Sequence, residues 1–261
     1  MIKSFIKFLA LPVILFIVMA CNETPKTMGY DTDPKVLTKD FVKWWNYYNR
    51  HINLSSEFIA LDPALHKITK DAFLKELTTG DYIPIRLITT DIIESFQLYK
   101  LSQDASNDIK PTIIQECERE YEHFKKEGTA MPIFNFKDLN GIVYNNENTK
   151  GKYLVLKCWY INCLVCNQEI PALNEMQKKY KDRKDILFVS LAWDSKDSLK
   201  QFLKHTAFNY AVVPQQQTFT EKELKSGQYP AHFIINKEGI IKKEVNKETE
   251  LEIALKKEIG Y

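Results

Sequence analysis

The chain has 261 residues, enough for one large domain or two ordinary ones. Hydrophobic residues at 44% against charged residues at 27% exclude a disordered chain, and eight glycines with ten prolines leave no low-complexity bias. The formal charge of +2 is carried by Lys3 and Lys7; the rest is balanced and has no basic patch of the kind that phosphate backbones select, so no nucleic-acid partner is expected.

Met1 to Lys7 is short and basic, and Phe8 to Ala20 is an apolar run of thirteen residues. A spanning helix needs roughly 20, so the run has the size of a signal-peptide core. Val18-Met19-Ala20-Cys21 resembles a bacterial lipobox, in which the cysteine is acylated once the signal is removed. The resemblance implies a signal peptide over 1–20, lipidation at Cys21 and a lipid-anchored tether over 21–37; a plain cleaved signal with an incidental Cys21 is the alternative. The polar segment after Cys21, with Pro25, Gly29 and Pro34, suits a tether. Export also puts the cysteines where disulfides form and persist.

Residues 38–128 read as a small α+β domain of unknown role. Thr38 is placed to cap a helix bearing Phe41, Trp44, Trp45 and Tyr48 at helical spacing. Thr69 to Gly80 reads as a short helix with a glycine stop. Tyr82–Ile88 and Ser95–Leu101 read as strands, Pro84 favouring an edge. Pro111 starts a helix through Ile113, Cys117, Tyr121 and Phe124 that ends at Gly128. The aromatic group Trp44, Trp45, Tyr47 and Tyr48 fits core packing better than a binding surface.

Residues 129–261 alternate strand and helix. Tyr153–Tyr160 and Ile186–Trp193 are apolar on both faces, as buried central strands are. One helix is expected from Cys163 to Lys181 and another over 196–206. A short strand follows at Tyr210–Val213, a helical stretch over 218–226, a hairpin from Phe233 to Val245, and a last helix from Lys247. The class is α/β, a sheet covered on both faces.

Cys163-Leu164-Val165-Cys166 falls where a buried strand ends and a helix begins. A helix N-terminus carries roughly half a positive charge and unpaired N–H groups, both of which stabilise a thiolate. The first sulfur can attack a substrate and the second can resolve the mixed disulfide. A zinc site would want a second Cys or His pair, and a c-type haem site a His after the second cysteine, where Asn167 stands. A structural disulfide is the remaining alternative. No metal and no cofactor beyond the dithiol is expected.

From these residues the chain resembles the thioredoxin-like disulfide oxidoreductases of bacterial envelopes, the TlpA and ResA type, over about residues 131–257. Pro132 through Gly141 matches the opening hairpin, Gly151 through Leu156 the strand into the site, Trp159 through Leu173 the active-site helix, and Tyr229 through Gly239 the cis-proline loop and its hairpin. The resemblance implies a thioredoxin-like fold, Cys163 as nucleophile, Cys166 as resolving cysteine, and a cis peptide before Pro230 that faces the dithiol. Tyr229 and Trp159 would support the site, Pro171 would kink the long helix, and Glu169 would handle protons or stand as a solvated residue.

Three departures individualise the site. Asn162 replaces the tryptophan usual before the first cysteine, the inner pair is Leu164-Val165, and Lys157 occupies a strand position that often holds an acid. A charged Lys157 near the dithiol would stabilise a thiolate and make the disulfide more oxidising, unless its side chain snorkels to solvent. Cys117 and Cys158 read as buried thiols; a bridge between them is the weaker alternative.

The expected function is disulfide exchange or reduction in exported proteins by a periplasm-facing lipoprotein, with an upstream dithiol donor and the membrane as further partners. Two other functions compete. One is a peroxiredoxin-like thiol peroxidase, against which Tyr160 stands where a threonine is wanted. The other is a non-enzymatic partner-binding lipoprotein on the same scaffold.

Overall fold

The computed structural model describes residues 27–260. The expected signal segment and Cys21 lie outside them. The tether is shorter than its expected limit at residue 37. Thr27–Tyr30 is a strand, β1, and Pro34–Leu37 a helical turn, α1, with Asp33 as its cap. Polar composition looked like linker, but β1 gains a pairing partner that only the fold supplies.

The N-terminal unit continues with α2 (Phe41–His51), β2 (Ile59–Leu61), α3 (Lys70–Leu77), β3 (Tyr82–Thr89), β4 (Ser95–Lys100) and α4 (Ile109–Lys126). The strands form one sheet in the order β1-β3-β4-β2. Asp40, not Thr38, caps α2, its carboxylate accepting from the Lys43 N–H at 2.9 Å. Thr38 closes α1 instead, donating its hydroxyl to the Pro34 carbonyl at 2.9 Å. β3 is not an edge strand, yet β1 pairs only with its Leu87–Thr89 end, so Pro84 sits beyond that pairing, where its missing N–H leaves no ladder gap. Trp44, Tyr47 and Tyr48 are buried in a core with Phe73, Phe96 and Ile113, and Trp45 packs half-buried against it.

The second unit holds β5 (Asn135–Lys137), β6 (Val143–Asn145), β7 (Tyr153–Trp159), α5 (Leu164–Gln168), α6 (Ile170–Lys179), β8 (Ile186–Ala192), α7 (Lys196–Phe202), β9 (Ala211–Val213), β10 (Ala231–Ile235), β11 (Ile241–Val245) and α8 (Glu248–Glu258). A five-residue π-helical turn covers Phe219–Glu223. β5 and β6 pair as a small hairpin beside a mixed five-stranded sheet ordered β11-β10-β7-β8-β9. β7, β8 and β9 run parallel, while β10 and β11 run antiparallel. Leu154, Leu156 and Cys158 of β7 face a core with Phe136 and Phe233, and Val155 faces one with Leu173 and Leu251. Both faces of the sheet are therefore covered, as the unbroken apolar strands predict. The single helix expected from Cys163 to Lys181 is two. It breaks at Glu169, which ends α5 and begins α6, because Pro171 in the first turn of α6 has no N–H to continue the ladder.

The two units are joined by more than a linker. After α4, Gly128 donates to the Ile241 carbonyl and Ile241 to that of Thr129, both at 2.8 Å, so the connection runs beside β11. Beneath it Glu244, buried on β11, accepts from Lys126 at 2.6 Å and lies 3.7 Å from His123. Burial, with Lys126 and Arg119 nearby, pushes the His123 imidazole down to about 3 from an ordinary 6.5. The native histidine therefore stays neutral where the unfolded one charges. Stability should fall as pH drops from 6.5 towards 3, by up to about 1.4 kcal/mol per pH unit. Denaturant titrations of His123→Leu between pH 6.5 and 3.5 should give a shallower slope than the parent; equal slopes would remove His123 from the account.

Candidate active site

Strand β7 delivers the chain to the site and α5 receives it. Cys163 is the N-cap of α5, with extended backbone, and Cys166 lies in the helix's first turn. The two form a disulfide across a Cα–Cα distance of 5.2 Å. Their exposures differ: Cys163 retains 7% of its surface and Cys166 none. The Cys166 N–H points at the Cys163 sulfur at 3.2 Å, a donor that would favour negative charge there once the disulfide opens. The loop before the helix is pinned from both sides. Asp194 accepts from the Ile161 N–H at 2.8 Å, and Asn167 donates to the Ile161 carbonyl at 2.7 Å.

Behind the disulfide lies a packed layer. Trp159 is fully buried with Ile170, Ala192 and Leu199, against Phe202 and Phe208 at ring distances of 5.5 and 5.7 Å. In front, the surface is apolar. Leu164 is 70% and Val165 56% exposed, and Asn162 beside them is exposed too. The Tyr229–Pro230 peptide is cis and opens β10, whose Ala231 pairs with Cys158 of β7. Tyr229 packs against the layer that holds both cysteines. Its hydroxyl donates to Thr220 at 3.0 Å, and its ring meets Trp193 at 4.7 Å and Tyr160 at 6.0 Å.

Lys157 does not snorkel to solvent. It is fully buried, donates to the Cys166 carbonyl at 3.1 Å and forms an ion pair with Glu169. Glu169, at the junction of α5 and α6, is buried too and not solvated. Its carboxylate also lies 3.2 Å from His232 Nε2. Burial raises the proton affinity of Glu169, but His232 and Lys157 together outweigh it and hold the carboxyl below its ordinary range. Lys157 is pushed down by burial, with Glu169 opposing. The lysine therefore meets the dithiol as half of an ion pair that grips the Cys166 backbone, and not as the lone cation expected.

His232 escaped sequence reasoning, as did Asp194, Asn167, Trp193 and Thr220. A signal for His232 existed. It and Lys157 are ionisable residues inside apolar strands, and a buried charge requires a partner. That they are directly opposed across β10 and β7 is a matter of register. Cys117 and Cys158 are both buried and free, and burial raises both thiols above their ordinary range.

Sheet, helix-capping cysteine and buried partner define a thioredoxin-like redox protein. Residues 112–244, just over half of the chain, match the AhpC/TSA family, and the chain belongs to that family. It is 31% identical over 144 residues to the thiol-disulfide oxidoreductase ResA of Bacillus cereus (strain ATCC 10987 / NRS 248), covering 52% of this chain and 83% of that protein. It is 26% identical over 118 residues to the thioredoxin-like protein YneN of Bacillus subtilis (strain 168), covering 44% and 69%. A solved thioredoxin domain of a thiol-disulfide oxidoreductase from Bacteroides vulgatus aligns with a TM-score of 0.46 and 21% identity over 50% of this chain and 96% of that one. The expected class and fold are thus borne out: a thioredoxin-like oxidoreductase of the thiol-disulfide kind.

Proposed function

We propose that this chain is an envelope oxidoreductase, held to a membrane through a lipid on Cys21, that reduces or exchanges disulfides of exported proteins with Cys163 as its nucleophile. The observation that carries this reading is the asymmetry of the dithiol: the helix-capping Cys163 keeps a small exposed surface, and its partner Cys166 keeps none.

In the reduced chain a Cys163 thiolate attacks one sulfur of a substrate disulfide. The other substrate sulfur leaves as a thiolate and takes a proton. Cys166 then loses its proton and attacks the Cys163 sulfur. That step releases the second substrate thiol and closes the Cys163–Cys166 disulfide. Two electrons have moved from the chain to the substrate, and an upstream dithiol returns them. The dithiol itself carries the electrons, so the reading invokes no metal and no other cofactor. Exposed Leu164 and Val165 offer apolar contact to a substrate, and the backbone at Tyr229, before the cis Pro230, offers it hydrogen bonds. Trp159 supports the layer below, Asn162 borders the exposed side, and the Lys157–Glu169 pair holds Cys166. A peroxidase reading is disfavoured by Tyr160, which stacks on Trp193 at 4.7 Å where that chemistry wants a threonine.

The test is a trap. A Cys166→Ala chain expressed in its native envelope should accumulate disulfide-linked adducts through Cys163. These should dissolve on reduction and be absent from the Cys163→Ser, Cys166→Ala double variant. A Cys166→Ala chain without Cys163-dependent adducts would count against exchange with exported proteins and leave the scaffold reading standing.

A further inference from the structure

The turn between β3 and β4 carries two consecutive isoleucines, Ile92 and Ile93. Ile92 is fully exposed, at 104% of its reference surface, and Ile93 is half exposed. An apolar side chain at a loop tip is poorly explained by folding where, as at Ile92, it gains no burial. Ile93 shares a groove with Ile253 of α8, itself 51% exposed, and with the side chains of Lys243 and Lys257. The apolar surface therefore extends from the first unit onto the second.

The position of this tip in the chain says what it can meet. β1 begins at Thr27, which pairs with Thr89, three residues before Ile92. Cys21 lies six residues ahead of Thr27, and that length of extended chain spans at most about 20 Å. A lipid on Cys21 thus keeps Thr27 within about that distance of the bilayer, and the β3–β4 turn begins one residue beyond its partner Thr89. Tyr30 and Ile88, 41% and 40% exposed, flank that point of entry, and Ile92 and Ile93 follow it three and four residues beyond Thr89.

We infer that the β3–β4 turn is a membrane-contact element, with Ile92 and Ile93 entering the interfacial region of the bilayer that holds the acyl anchor. This inference rests on the proposed acylation of Cys21. A lipid at the end of a short tether limits distance from the bilayer but leaves orientation free, and a second apolar contact on the same face fixes it. The charged neighbours of the pair, Asp91 and Glu94, can remain among headgroups; Glu94 is already paired with Arg86 at 3.5 Å.

The full acylated chain carrying Ile92→Cys can be labelled there with an environment-sensitive fluorophore. In the oxidised protein Cys163 and Cys166 are bonded and Cys117 and Cys158 are buried, so labelling is selective. A Glu147→Cys chain, labelled at an exposed turn of the second unit, is the control. In phosphatidylethanolamine–phosphatidylglycerol vesicles with brominated acyl chains, the probe at 92 should shift to the blue and be quenched roughly twofold or more beyond the probe at 147. Equal quenching at the two positions would overturn the inference. The mass of the N-terminal peptide reads acylation separately. Equal quenching on an acylated chain would sink the membrane-contact element alone, whereas an unmodified Cys21 together with equal quenching would sink the anchor as well.

Discussion

Cys163→Ser should abolish insulin reduction, leaving only the uncatalysed rate of the thiol reductant supplied. The hydroxyl that replaces the sulfur is not ionised near neutrality and cannot form the mixed disulfide on which exchange depends. Cys166→Ser should behave differently. It keeps an attacking sulfur at the helix N-terminus and loses the resolving one, so it should make one mixed disulfide per chain and then stall. The fold should survive both changes, because Cys→Ser is close to isosteric and Trp159, Ile170 and Leu199 still build the layer behind the site. Equal steady-state activity in parent and Cys163→Ser would remove the dithiol from the chemistry and restore the scaffold reading. Equal activity in Cys166→Ser would mean that turnover needs only one of the two sulfurs.

Glu169→Ala should cost about 3–5 kcal/mol of stability, because it strands the fully buried Lys157 without its counter-charge. His232 loses its carboxylate partner in the same step. The measurement is a denaturant unfolding curve at pH 7. Lys157→Met combined with Glu169→Gln should regain most of the loss, since both members of the pair are then neutral. The pH dependence has a definite sign. Glu169 is held below its ordinary range in the folded chain, so its contribution is complete above the unfolded value of roughly 4.3 and fades as pH falls through the lower folded value. The stability gap between parent and Glu169→Gln should therefore narrow only in acid. A gap of under about 1 kcal/mol for Glu169→Ala at pH 7 would show that the lysine finds another partner or water. Insulin reduction by the soluble double variant reports on Cys166 separately, because the lysine also holds that residue's carbonyl.

The fate of Lys157 shows why the site was only partly legible beforehand. The sequence places a cation next to a dithiol, and the simplest electrostatic consequence is a more oxidising disulfide. The fold adds Glu169 from a helix break and His232 from a neighbouring strand, and the lysine becomes half of a buried ion pair. Both additions depend on contacts between residues 12 and 63 positions apart, which local pattern does not encode. The same holds for β1, a polar segment made into a strand by its pairing with β3, and for the cap of α2, where Asp40 rather than Thr38 satisfies the first N–H groups.

The features legible in the residues alone are local or periodic. The apolar strands, the helix start at Cys163 and the spacing of the two cysteines follow from residue type and interval, so neighbouring positions suffice to read them. What the tertiary structure decided is which cysteine meets solvent, which buried charges meet one another, and which apolar side chains are left uncovered. Cys163 and Cys166 are three residues apart with the same chemistry; only the packing of Trp159, Tyr229 and Ile170 leaves one at the surface and seals the other. Burial is a property of the whole assembly of elements, and it turns two equivalent sulfurs into an outer and an inner one.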